Sequence, residues 1–69
     1  MNTLKVRGEY ITLGQVLKAA GLVENGAESK EVIQAGEVMV DGETETRRGR
    51  KLRGGETVQF DGSEIQIVR

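Results

Sequence analysis

Five cations fall within seven positions of this chain: Arg47, Arg48, Arg50, Lys51 and Arg53. A guanidinium is a planar fork of N–H donors that stays charged at any relevant pH and grips phosphate oxygens bidentately. Four arginines and one lysine on a single exposed segment therefore suit a row of phosphates, and Gly49 lets the segment bend towards it. The cluster holds half of the ten basic residues, so the other sixty-two positions carry five basic against eleven acidic residues, a net charge of -6 on a chain of net charge -1. A single basic patch lies on an acidic body, and only that face can approach a polyanion.

Other chemistries have few tools here. The chain has no cysteine and no histidine, which removes disulfides, thiolate nucleophiles, the commonest metal ligands and the commonest general base together. Carboxylates are plentiful, but no pair lies in an apolar setting that would split two pKa values into an acid and a base. The composition points away from an enzyme and calls for no cofactor or metal. No apolar run approaches the roughly 20 residues of a membrane span, and the start of the chain does not resemble a signal peptide, so a cytoplasmic protein with no membrane partner is expected. Sixty-nine residues with 36% hydrophobic side chains and two aromatics, Tyr10 and Phe60, make at most one domain, with a thin Leu, Ile and Val core and no deep cavity.

The elements that must hold the basic segment follow from caps and periodicity. Thr3-Leu4-Lys5-Val6-Arg7 alternates as a short strand ended by Gly8, although a frayed terminus would read alike. Thr12-Leu13-Gly14-Gln15 is a capping box, and Ile11 and Val16 are spaced as its hydrophobic staple. Leu13, Val16, Leu17 and Ala20 line one face of a helix from about Leu13 to Ala20, stopped by Gly21. Asn25 and Glu28 open a second helix in the same way, with Ser29, Val32, Ile33 and Gly36 on one stripe and Gly36 at its end. The two helices should pack as a hairpin-like pair.

From Val38 the period becomes two. Val38-Met39-Val40 is a strand, Asp41-Gly42 a tight hairpin turn, and Glu43 to Thr46 an edge strand that hands the chain to the arginines. Gly54-Gly55 is a turn, Thr57 to Phe60 and Glu64 to Val68 are strands, and Asp61-Gly62-Ser63 is the turn between them, with Val58, Phe60, Ile65 and Ile67 as candidates for burial. The fold class is α+β: two helices packed on a small, mostly antiparallel sheet, as one domain over residues 1–69 with its core at about 11–60.

Gly26-Ala27-Glu28-Ser29-Lys30, Ile33 and Gly36-Glu37-Val38-Met39-Val40-Asp41-Gly42 together resemble the S-four RNA-binding domain, whose helix carries a small residue followed by Arg or Lys, then an aliphatic, then Gly-x-Val-x-Val-Asn/Asp-Gly. Ile11 to Gln15 and Thr46 to Leu52 look more specifically like the stand-alone bacterial members of the YaaA/YbcJ type. The resemblance covers roughly Ile11 to Phe60. It implies an alpha-L motif fold and binding of structured RNA, ribosomal or tRNA-like, with ribosomal particles as possible partners. It also implies a domain that usually rides on a larger body, so that here it is expected to act alone, as a monomer, or by recruiting a partner.

On that basis the RNA-binding residues are expected to be Lys30, Arg47, Arg48, Arg50, Lys51 and Arg53, with Ser29 and Gly26 at the second helix. The resemblance places an RNA contact at Lys30, which on spacing alone is a surface lysine beside a glutamate. Ser29 is small enough for close helix packing, with a phosphate contact as a second role. Gly26 and Ala27 offer first-turn N–H groups that Glu28 partly neutralises. With Tyr10 the one aromatic left for stacking, the shape and backbone of folded RNA, rather than sequence, should be read. Five phosphate contacts give a slope of log affinity against log salt of about -3.5 to -4.5. Two other readings of the basic segment remain: a solvated loop, or one bound to the acidic body of the protein itself. An acidic protein partner is the alternative ligand, and a sulfur-carrier role is disfavoured because Gly54-Gly55 is internal.

Overall fold

A computed structural model describes residues 2–69. Both helices start where their caps are spelled. Helix α1 spans Leu13–Ala19, with the Thr12 hydroxyl accepting from the Gln15 N–H at 3.4 Å and the Gln15 side-chain Oε1 accepting from the Thr12 N–H at 2.9 Å. Gly21, at φ +74°, takes the left-handed conformation that stops it. Helix α2 spans Gly26–Gln34, capped by Asn25, whose side chain accepts from the Glu28 N–H at 2.9 Å. The Glu28 carboxylate does not close a second capping box; it reaches past the cap to the Glu24 N–H at 2.7 Å.

The strands are β1 (Asn2–Lys5), β2 (Ile11–Thr12), β3 (Val38–Val40), β4 (Glu43–Thr44), β5 (Lys51–Leu52), β6 (Thr57–Phe60) and β7 (Ser63–Val68). Five of them form a sheet in the order β1-β7-β6-β3-β4. Every pairing is antiparallel except β1 with β7, where Leu4 lies beside Ile67. The first stretch is thus a strand and not a frayed terminus. The return strand of the first hairpin is shorter than expected: it ends at Thr44, after which the Glu45 N–H makes one more bond to the Val38 carbonyl and the chain leaves the sheet.

The helices cover one face of this sheet. The buried apolar side chains are all Leu, Ile or Val, with Leu13, Leu17 and Ile33 from the helices meeting Val38, Val58 and Ile67 from the strands. Phe60, expected among the buried residues, is only partly covered, while Val58, Ile65 and Ile67 are. The helices meet through Ser29, which is 1% exposed and donates its hydroxyl to the Gly14 carbonyl at 2.9 Å. A hydroxyl buried between helices is stable there because it is hydrogen-bonded.

The expectation that the hairpin carries the arginines as a lever needs correction. Lys51-Leu52 is itself a strand, and it pairs with Ile11-Thr12 in a separate two-stranded ribbon, Ile11 opposite Leu52 and Thr12 opposite Lys51. The basic segment is thereby fixed to the start of α1, about forty residues earlier in the chain. No helix among the described residues is long and apolar enough to cross a membrane.

Candidate nucleic-acid interface

Helix α1 begins with N–H groups that have no partner inside the helix, and the basic segment supplies acceptors for two of them. The Leu13 N–H donates to the Arg50 carbonyl at 2.9 Å and the Gly14 N–H to the Arg48 carbonyl at 3.1 Å. Gly14 therefore joins three elements, with its N–H on the basic segment and its carbonyl on Ser29 of α2. A methyl group at Gly14 would lie 2.8 Å from Cγ of Arg48, so the arginine stem runs directly across this glycine. A glycine inside a short helix that serves no turn marks such a close approach, and this was the sequence signal for the docking.

The docking leaves an open groove between the starts of the two helices. It is lined by Gly14, Gln15, Lys18, Gly26, Ser29 and Arg48, among others, and no carboxylate lines it. The structure brings Gly26, Ser29 and Arg48 together there and adds Lys18, a cation that the sequence presents only as an ordinary surface residue of α1. Ser29 forms part of the groove wall, and its hydroxyl donates its proton to the Gly14 carbonyl. Lys30 is exposed and lies one turn along α2 from Gly26 on the same side, extending the positive strip along that helix. No carboxylate lies within ion-pair distance of it among the described residues.

Arg47 and Arg50 differ from their neighbours. Both bond Glu45, a carboxylate 7% exposed at the point where the chain leaves β4. Arg47 forks onto it, with Nε to Oε2 at 3.1 Å and Nη2 to Oε1 at 3.0 Å, while its own backbone N–H also reaches Oε2 at 3.1 Å. Arg50 adds Nη1 to Oε1 at 3.0 Å. Hydrogen bonds from the Arg47 side chain hold the Glu45 carboxyl at a pKa of about 2, against the opposing effect of burial. The same bonds raise the Arg47 guanidinium above its usual value. Glu56 is shaped in a similar way: burial pushes its pKa up, but the backbone N–H groups of Arg53 and Gly54 outweigh it and the net shift is downward. Part of the segment is therefore paired with the protein's own acids, one of the readings left open by the sequence. Arg47 keeps 74% of its side chain exposed despite the pairing, and Arg50 keeps 33%.

Lys51 and Arg53 turn outward, beside Tyr10. No group of three or more Asp or Glu among the described residues is placed to hold a metal ion. The arrangement can bind a polyanion by charge and shape, with Lys18, Lys30, Arg48, Lys51 and Arg53 free of carboxylate partners among the described residues.

Comparisons with known proteins point to one family. The S4 domain family model matches residues 4–68. The chain is 41% identical over 68 residues to "Probable ribosome maturation protein RlbA" of Bacillus subtilis (strain 168), covering 97% of this chain and 96% of that protein. It is 42% identical over 59 residues to YbcJ of Escherichia coli (strain K12), covering 86% of this chain and 84% of that protein. The solution structure of E. coli YbcJ, described as having an alpha-L motif involved in RNA-binding, superposes with a TM-score of 0.77 at 38% identity, over 100% of this chain and 89% of that one. A tyrosine–tRNA ligase of Burkholderia lata is 38% identical over 56 residues, a match to 81% of this chain but only 14% of the ligase.

Proposed function

The chain belongs to the S4 domain family, and on that premise we propose that it binds structured RNA without a catalytic step, as a single unit over residues 1–69. The observation that carries this reading is the groove in which Lys18 and Arg48 converge on the start of α2 with no carboxylate among its lining residues. Arg48 and Lys18 contact phosphates there, and Lys30 continues the contact along α2. Lys51, Arg53 and the exposed face of Arg47 meet the backbone on the other side of the segment. Gly26 lets a phosphate approach the first turn of α2, where the helix dipole is favourable, and Ser29 sets the spacing of the two helices. Arg50 holds the segment in place more than it contacts RNA.

The names of the relatives, a ribosome maturation protein and an RNA-binding motif, support ribosomal RNA or a ribosomal particle as the target. We propose further, independently of those names, that the protein acts as a monomer in the cytoplasm. The absence of histidine and cysteine leaves little for a chemical step.

The test is binding to ribosomal RNA transcripts at 50 and 200 mM salt. The five cations free of carboxylate partners predict a slope of about -3.5 to -4.5, and a full contact by Arg47 would steepen it by about 0.7 to 0.9. Lys18→Ala combined with Arg48→Ala should flatten it by about 1.4 to 1.8. RNA that is not retained at 50 mM salt, or a slope near zero, would overturn the reading and favour an acidic protein partner.

A further inference from the structure

The β2–β5 ribbon turns one face away from the core, and of that face only Thr12 lines the groove between the helices. The ribbon's register, Ile11 opposite Leu52, places Tyr10 opposite Arg53. Side chains alternate along a strand, so Tyr10, Lys51 and Arg53 share one face while Leu52, fully buried, and Ile11 take the other. The distances agree: Lys51 Nζ lies over the Tyr10 ring, 5.1 Å from its centroid, and Arg53 Cζ lies over it at 5.8 Å, so a base that stacks there must share the ring with these cations or displace them. Tyr10 is 40% exposed. Beside it runs an open groove with Leu4 and Ile11 in its lining and Lys5, Arg7 and Lys18 among its cations, again with no carboxylate. Gln15 and Lys18 line both this groove and the one between the helices, so the two are neighbours.

We propose that this ribbon face is a subsite for one unpaired nucleobase, stacked on Tyr10, with its flanking phosphates held by Lys51 and Arg53 on one side and by Arg7 and Lys18 on the other. The proposal rests on the RNA reading above and deepens it, since the target must then expose a loop or bulge beside its helical part. An apolar lining, an accessible ring and a rim of cations together match a nucleotide, which has both a π-face and a charge. Tyr10 is also held in position. Arg69 donates through Nη1 to the Arg53 carbonyl at 2.6 Å and the Glu9 carbonyl at 3.3 Å, and through Nη2 to the Gly8 carbonyl at 3.2 Å. These bonds tie the turn before Tyr10 to the end of β5, so the backbone that carries the ring and its cations is held together before RNA arrives.

Tyr10 is the chain's sole tyrosine, and there is no tryptophan, so intrinsic emission reports on this ring alone. The probes are a labelled RNA hairpin with a purine loop and the same stem as a blunt duplex, followed by anisotropy and by tyrosine emission. The hairpin should bind about tenfold more tightly than the duplex and should quench the emission, whereas the duplex should not. Tyr10→Leu should lose that tenfold on the hairpin and leave duplex affinity unchanged, which also shows that the variant is folded; Tyr10→Phe should retain it. Equal binding of hairpin and duplex by wild type and Tyr10→Leu overturns the subsite and leaves the RNA reading standing. No binding of either probe at 50 mM salt overturns both. Saturable quenching by a polyglutamate peptide in place of RNA would assign the face to an acidic protein and so also overturn it.

Discussion

The basic segment has two sides built from the same residue types. Arg47 and Arg50 turn onto Glu45 and make four hydrogen bonds with it, counting the Arg47 backbone N–H. Arg48, Lys51 and Arg53, interleaved with them in sequence, face the groove and the ribbon with no carboxylate partner among the described residues. One side shapes the segment and the other is left to bind. Five cations in seven residues repel one another, and a buried carboxylate at the foot of the segment offsets part of that repulsion while fixing where the remaining charges point. A charge count therefore measures the potential of such a segment, whereas its geometry determines which charges are available to a ligand.

The sharpest way to break this comparison is to reverse one arginine on each side. Arg50→Glu would remove one charged hydrogen bond from Glu45 and set a second carboxylate against it while Arg47 still pairs with it, at a cost of about 2 to 3 kcal/mol. Arg48→Glu lies on an exposed stem and should change stability by no more than about 0.5 kcal/mol, while abolishing most of the proposed RNA affinity. Urea denaturation of both variants checks this; equal midpoints would mean that the two sides are not distinct.

Acid separates them next. The folded pKa of Glu45, about 2, lies below its ordinary value of 4.5, and that of Glu56 is also lowered. A carboxyl depressed on folding stabilises the protein fully above its unfolded pKa, so the contribution is complete at neutral pH and fades as the pH falls from about 4.5 towards 2. For Glu45 it should be about 2 kcal/mol, the scale of a charged hydrogen bond. Melting curves at pH 7 and pH 3 should show Glu45→Gln less stable than wild type at pH 7, with the gap narrowing in acid. A constant gap would mean that the carboxylate's charge is not what holds the arginines.

Much of the fold was legible because its signals are local. The caps at Thr12 and Asn25, the left-handed Gly21 and Gly36, and the Asp41-Gly42 turn each act within four or five residues, and the structure places them where the sequence does. The ribbon was not legible. Each strand has two residues, too few to show a period, and the partners lie about forty positions apart, so nothing near Lys51 announces Ile11. Glu45 was hidden for a different reason: it is one of eleven acidic residues, and only the burial created where β4 ends singles it out. Lys18 looks like any solvent-facing lysine until Gly26 and Arg48 are brought beside it. Gly14 did carry a signal, a glycine within a helix that no turn requires.

Gly14→Ala tests the outward side more gently. Alanine gains about 1 kcal/mol of helix propensity over glycine, but its methyl must displace Arg48 Cγ from 2.8 Å. Stability should stay within about 1 kcal/mol of wild type, while the displaced arginine loses its phosphate contact and the salt slope flattens by about 0.7 to 0.9. An unchanged slope would mean that Arg48 binds wherever its stem lies, as part of a simple basic loop.

The smallest effect should come from outside the segment altogether. Glu37, Asp61 and Glu64 line one shallow depression at the far end of β6, separated from Arg53 by at least the length of that strand, roughly 13 Å. Unlike Glu45 they touch none of the five clustered cations, so they can act on RNA only through their field. That field reaches about 30 Å at 0.01 M salt but about 8 Å at 0.15 M, against a molecule 28 Å in its longest dimension. Changing all three to their amides should therefore tighten RNA binding a few-fold at 10 mM salt and leave it unchanged at 150 mM. A gain that persisted at 150 mM would bring this depression into contact with RNA and remove the distinction between acids that shape the site and acids that merely surround it.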